Sequence, residues 1–149
     1  MMPRVDFSKS AQVKKNLITK MEKRIIAIGH DMANDIQMSM REGSGREYVR
    51  KGVVHRASAS GEPPAVDTGR LRASISVNWS DSGSDRATVA SPAVSSDGVG
   101  QPSREGGEFR VVVGTNVSYA LPLETGTPRM SPRPFIRPSF DRIRVKYGL

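Results

Sequence analysis

Residues 9–42, KSAQVKKNLITKMEKRIIAIGHDMANDIQMSMRE, decide how this chain is organised. Val13, Leu17, Met21, Ile25, Ile28, Met32, Ile36 and Met40 recur every three or four positions, the spacing that lines one face of an α-helix. No proline interrupts the run. Ser8 or Ser10 can supply an N-cap oxygen, and Gly43 and Gly45 follow as candidates for a left-handed C-cap. The opposite face carries Lys14, Lys15, Lys20, Lys23, Asp31, Asp35 and Arg41. At 1.5 Å per residue such a helix is roughly 50 Å long, against about 30 Å for the core of a small domain. One end is therefore expected to project or to pack on another copy of the chain. The alternative reading breaks the segment near Gly29 into two ordinary core helices.

Outward from the helix, residues 43–70 are rich in Gly, Ser and Pro and are expected to be an irregular connector. Pro63 and Pro64 stiffen it and hold Glu62 extended, while Asp67 and Thr68 are capping-type residues before Gly69, suited to a tight turn. Leu71, Ala73, Ile75, Val77 and Trp79 then alternate with Arg72, Ser74, Ser76 and Asn78, the period of a half-buried strand, and residues 87–90 can pair back on it. Residues 80–107 are dominated by Ser, Gly, Asp and Pro and are expected to be a long mobile loop. Residues 108–115 form the next strand, apolar on both sides at Val111, Val112 and Val113 and hence expected to be central. Ser118 to Glu124 suits a short helix stopped by Gly126. Pro128, Pro132, Pro134 and Pro138 force an extended path. A final helix starting near Pro138 is expected to bury Phe140 and Ile143, with Tyr147, and to leave Arg142, Arg144 and Lys146 solvated. The fold class is α+β: one domain over 1–149, with a long N-terminal helix packed on a small antiparallel sheet, a mobile loop, a short helix and a C-terminal helix.

Composition narrows the function. Leu, Ile, Val and Phe total 32 of 149 residues, barely above the ~20% below which charged chains tend toward disorder, so a folded part with loose appendages is expected. The absence of cysteine excludes disulfides, thiol catalysis and Cys-ligated metals, and two histidines, His30 and His55, are too few for a multi-histidine centre. No apolar run reaches the ~18 residues of a membrane span or resembles a signal peptide, so a soluble protein made inside the cell is expected, with no membrane partner. The formal charge is +8, positive at both ends and slightly negative in the middle. That suits nucleic acid or an acidic protein, but the aromatic residues do not cluster among the basic ones as a base-stacking platform would require.

No nucleophile elbow, Walker loop, dinucleotide fingerprint or HExxH is present. His30 and His55 lack an evident nucleophile or orienting partner and are read as surface or interface side chains. Glu62 and Asp67 are read as turn residues in preference to an acid–base pair. No catalytic, metal or cofactor residue is expected. Two stretches do call for explanation: 62–75, a rigid turn delivering an alternating segment, and 113–138, where a proline-braced basic strip carries Met130, Phe135 and Ile136. They are either well-made turns or a docking surface whose stiffness lowers the ordering cost of binding.

Three stretches in order, SGEPPAVDTGRLRASI (60–75), VGTNVSYALPLETGT (113–127) and MSPRPFIRP (130–138), resemble the neck or tail-completion proteins of long-tailed bacteriophages, the gene-product-ten-like tail component family. The sequence departs from the family pattern at Pro122 and in the Ser/Gly/Asp-rich stretch at 80–107. The resemblance implies a non-enzymatic structural virion protein at the head–tail junction, made in the host cytoplasm. It implies a ring of copies, hexamer or dodecamer, around the DNA channel, joining the head connector to the tail. The implied partners are copies of itself, head-closure or connector proteins, tail-terminator or tail-tube proteins, and packaged double-stranded DNA through non-specific phosphate contacts. The residues expected to dock are Tyr119, Leu123, Glu124, Met130, Arg133, Phe135 and Arg137. The alternatives are a tail terminator capping the tube and a non-specific DNA-binding protein.

Overall fold

The computed structural model of the chain describes residues 8–41, 43–81, 84–89 and 109–149. Nine elements follow in order: α1 (Ser8–Ser39), β1 (Glu47–Arg50), β2 (Val53–Arg56), α2 (Arg70–Ala73), β3 (Ser76–Asp81), β4 (Ser84–Val89), β5 (Val111–Gly114), α3 (Ala120–Thr125) and α4 (Ile136–Tyr147). The fold is α+β. One sheet is the β1–β2 hairpin; the other is antiparallel, in the order β4-β3-β5. The expected loop over 80–107 thus begins as a hairpin, with Ser76 opposite Val89, while residues 90–107 lie outside the described part.

α1 runs unbroken through Gly29, so the two-helix alternative fails. The reason is packing. A Cβ at Gly29 would stand 2.6 Å from Val111 Cγ1 and 3.1 Å from Val77 Cγ1, so the glycine lets the helix lie directly on β3 and β5. Only the C-terminal part of α1 reaches the core, where Ala33 and Ile36, with Met40 just past the helix end, meet Leu71, Ile75, Val77, Val117, Ala120 and Phe135. Fully burying side chains such as Ile36 and Phe135 stabilises by about 1.5–3 kcal/mol each. The first half stands clear: Val13 is 65%, Leu17 57%, Ile18 56%, Met21 55% and Ile25 39% exposed.

α4 runs antiparallel along the buried end of α1. Lys146 Nζ donates to Asp31 Oδ2 at 2.7 Å, Tyr147 Oη–H to the same oxygen at 2.5 Å, and Arg142 Nη2 to Asp35 Oδ2 at 2.6 Å. Hydrogen bonds from Lys146 and Tyr147 hold the Asp31 carboxyl below its ordinary 3.8. At Asp35 partial burial pushes upward, but the hydrogen bonds from Arg142 and Ser139 prevail, and that carboxyl too lies below 3.8. Lys146 is raised above 10.5, chiefly by its hydrogen bond to Asp31.

Several expectations are corrected. α1 ends at Ser39, and Gly43 and Gly45 are not left-handed caps. They are small because a Cβ on either would collide with the backbone of Ala57 and Ser58, which runs alongside. The connector is not irregular throughout: Lys51 (φ 51°) and Gly52 (φ 77°) turn β1 back on β2 as a two-residue hairpin. The alternating segment becomes a strand only at Ser76. Residues 70–73 form a helical turn entered through left-handed Gly69 (φ 75°), and Ser74 Oγ–H closes on the Leu71 carbonyl at 2.7 Å. Leu71 and Ile75 are four apart, so one helical turn buries both as well as a strand would. Strand β5 is an edge among the described strands, with β3 central and Val112 turned outward. α3 forms as expected, with Pro122 in its first turn, where no N–H is needed. α4 starts at Ile136, and it buries Ser139 and Ile143 while Phe140 is exposed. Arg142 and Lys146 are ion-paired to α1 instead of merely solvated.

Two outcomes are expected. Gly29→Val should destabilise by about 1–3 kcal/mol through overpacking against β5, measured as a lower urea midpoint at unchanged slope. In the unfolded chain both aspartates return to 3.8, so the α1–α4 clamp contributes fully above about pH 4 and is lost as pH falls through the depressed values. The Lys146 share is complete below 10.5 and is lost as pH rises through its raised value. The protection of α4 amides from exchange, taken relative to the intrinsic rate at each pH, should therefore fall below about pH 4, and Asp31→Asn with Asp35→Asn should abolish that acid limb.

Candidate docking surface

The chain after β2 is tied down residue by residue. Glu62 accepts from the Ser44 hydroxyl (2.5 Å), the Ala59 N–H (2.9 Å) and the Ser44 N–H (3.2 Å), which together hold its carboxyl below the ordinary 4.5. Val66 N–H donates to the Arg41 carbonyl at 3.1 Å, fastening the segment to the end of α1. Asp67 is not the cap of the following turn; that contact is made by Thr68 Oγ1, which accepts from the Arg70 N–H at 3.4 Å. Asp67 pairs with Arg50 and stands 3.7 Å from His55 Nδ1, so it anchors the β1–β2 hairpin. Tyr48 stacks on His55 across the hairpin with centroids 5.6 Å apart.

The proline-braced strip is fixed just as firmly. The Glu124 carboxylate accepts from the N–H groups of Phe135 (2.8 Å), Ile136 (3.0 Å) and Arg137 (2.9 Å), capping the first turn of α4 with a negative charge. Arg133 N–H donates to the Leu123 carbonyl at 2.7 Å, and Gly61 N–H to that of Pro132 at 3.1 Å. That last bond joins the first family-like stretch to the third.

Between hairpin, turn and strip lies a cleft of about 500 Å³, whose lining includes Tyr48, Arg50, Arg70, Arg72, Tyr119, Leu123 and Arg133. Its charged lining is four arginines to one aspartate, Asp67. Two atoms of its walls, Ser58 Oγ and Arg133 Nε, are buried without a hydrogen-bond partner among the described residues.

Of the seven residues expected to dock, Tyr119, Leu123 and Arg133 meet at this cleft. Met130 lies in the Thr127–Met130 turn, which lines a separate shallow hollow, and Arg137 is exposed at the start of α4. Phe135 is wholly buried in the core, and the Glu124 carboxylate is occupied by α4. These two position the strip from within. The hairpin contribution, Tyr48 and Arg50, was missed. Its signal was present as YVR and VVH around Lys51-Gly52, a two-residue turn flanked by strand formers.

His30 meets Trp79 edge-on at 6.0 Å, and His55 is stacked on Tyr48. Glu62 and Asp67 have separate partners. Among the described residues no three of His, Cys, Asp and Glu gather as a metal site, and no helix is long and apolar enough to cross a membrane. Chemically the surface is a braced, cationic, partly apolar cleft.

Glu124→Ala should cost about 1–2 kcal/mol, because three N–H groups lose a charged acceptor. Hydrogen exchange should rise first at Phe135, Ile136 and Arg137.

No curated protein and no solved structure matches the chain. The family model for the bacteriophage HK97-gp10 tail component matches residues 10–126, which take in nearly all of α1, the hairpin, the turn at 62–75 and α3, while the strip with Arg133 lies beyond the match. The chain therefore belongs to the HK97-gp10-like family of phage tail components, structural proteins of the virion.

Proposed function

We propose that this tail component sits at the head–tail junction of a long-tailed phage, as a ring of copies around the DNA channel that joins the connector to the tail. The observation that carries this reading is the two-sided β1–β2 hairpin. Its inner side, Tyr48 and Arg50, forms part of the cleft wall. Its outer side presents Val49 at 70% and Val54 at 64% exposure, paired across the strands, beside the Glu47–Arg56 ion pair. A projecting apolar pair on one surface and a braced cleft on another suit a head-to-tail contact, and such a heterologous contact gives a ring when the rotation between copies closes. In this reading Tyr119, Leu123, Met130, Arg133 and Arg137 receive the neighbouring copy or ring, with Glu124 and Phe135 holding the strip in shape. Because both walls are fixed before contact, little ordering cost opposes assembly. The tail-terminator position is built from the same contacts and differs only in the ring it meets.

Val49→Asp with Val54→Asp should leave a folded chain, judged by circular dichroism. It should reduce the solution mass from a multiple of 16.2 kDa to the single-subunit value. A wild-type chain that stays a single subunit, both free and when mixed with purified tails or connectors, overturns the ring. A non-specific DNA binder making six or more phosphate contacts loses ~10³-fold in affinity between 50 and 200 mM salt. The ring subunit should bind free duplex weakly at either salt.

A further inference from the structure

We infer that the projecting half of α1 is the docking surface for an acidic amphipathic helix of a second protein of the particle, on the reading that the chain is a structural tail component. Val13, Leu17, Met21 and Ile25 lie four apart, so they form a narrow apolar ridge on one side of the helix, with Ile18 beside it. All five are between 39% and 65% exposed. Lys14 and Lys20 stand three residues from Leu17, and Arg24 three from Met21, so all three border the ridge, and Lys14 and Lys20 do not lie on the face opposite it, the position expected from the apolar spacing. Together with Lys15 and Lys23 they make five cations against one acid, Glu22, over residues 10–28, and none of the five has an ion-pair partner among the described residues. An apolar ridge flanked by unneutralised cations matches a partner whose apolar ridge is flanked by carboxylates.

A second copy is a poor match: outside residues 10–28, among the acids whose side chains are described, one stands without a partner, Asp141 on α4, too few to flank a ridge. Among the described residues Asp31, Asp35, Glu47 and Asp67 are already ion-paired within the subunit. Glu62 and Glu124 are filled by hydroxyl and backbone donors. The Ser/Gly/Asp-rich stretch at 80–107 has Val89, Val94 and Val99 as its only large apolar residues. DNA fits less well, because a phosphate backbone satisfies the lysines and leaves the ridge wet. A lipid surface fits less well too: residues 10–28 hold no Trp, Tyr or Phe, the side chains with which interfacial helices seat themselves. A ridge at four-residue spacing is the form that packs into the groove of another helix.

The test uses the full chain and three helical peptides of four heptads, with leucine at a and d and glutamate, glutamine or lysine at e and g. At about 150 mM salt the glutamate peptide should bind at least about tenfold tighter than the other two, with the preference shrinking as salt rises. Leu17→Asp with Met21→Asp should lose binding. Lys20→Glu with Arg24→Glu should transfer the preference to the lysine peptide, a reversal that misfolding does not produce. Equal binding of the three peptides overturns the proposal. So does tighter binding of phosphatidylglycerol vesicles or duplex DNA that depends on Leu17 and Met21. A change in solution mass caused by Lys20→Glu with Arg24→Glu also overturns it, because the face is then a sibling contact. A chain that proves to be a single subunit but keeps the glutamate preference overturns the ring and leaves this inference standing.

Discussion

The subunit depends on one close approach, the crossing of α1 over β3 and β5 at Gly29. With no Cβ there, the helix axis sits near enough to the sheet for Ile36 and Met40 to reach the core beyond it. The α4 clamp works only because of that seating. Asp31 and Asp35 sit one turn apart just past the crossing, where Lys146, Tyr147 and Arg142 meet them. Each exposed ion pair contributes little by itself, because water screens it. Two of them in sequence register fix α4 antiparallel to α1, and α4 in turn seats Ser139 and Ile143. Only one end of a 32-residue helix is used in this way. The core is too small to cover more, and the surplus length becomes surface.

Charge follows the same division between interior and surface. Six of the described carboxylates are engaged within the subunit, Asp31 and Asp35 by α4, Asp67 by Arg50 of the hairpin, Glu47 by Arg56, Glu62 by Ser44 and Ala59, and Glu124 by the first turn of α4. The positive excess gathers on the first half of α1 and around the cleft. A subunit that engages its acids internally presents cations outside, a field that attracts anionic surfaces.

Rigidity at the cleft is achieved without regular structure. Over residues 57–69 and 126–135 the path is turn and extended chain, yet single hydrogen bonds from Gly61, Val66 and Arg133 and the triple acceptance by Glu124 hold it. Prolines set φ where no donor is available, and carboxylates fill the gaps. The outcome is a preorganised surface that needs few core residues, suited to a chain with barely enough apolar side chains for one small core.

Elements carried by short-range chemistry were legible in the sequence: the long amphipathic helix, the Gly126 stop, the proline-forced strip and the final helix. The order of three stretches also indicated the family. What depended on partners distant in the chain was not legible. Leu71 and Ile75 satisfy helical and strand spacing alike, and only the Gly69 turn and the Ser74 bond to Leu71 settle it. Val112 reads as a central-strand residue until the sheet order puts β5 at an edge. Phe135 and Glu124 read as surface residues of a basic strip. The tertiary fold turned one into the core and the other onto three backbone donors, because burial and satisfaction of N–H groups are properties of the assembled chain. Local periodicity and turn chemistry determined the elements; their mutual packing alone decided which faces were left for partners.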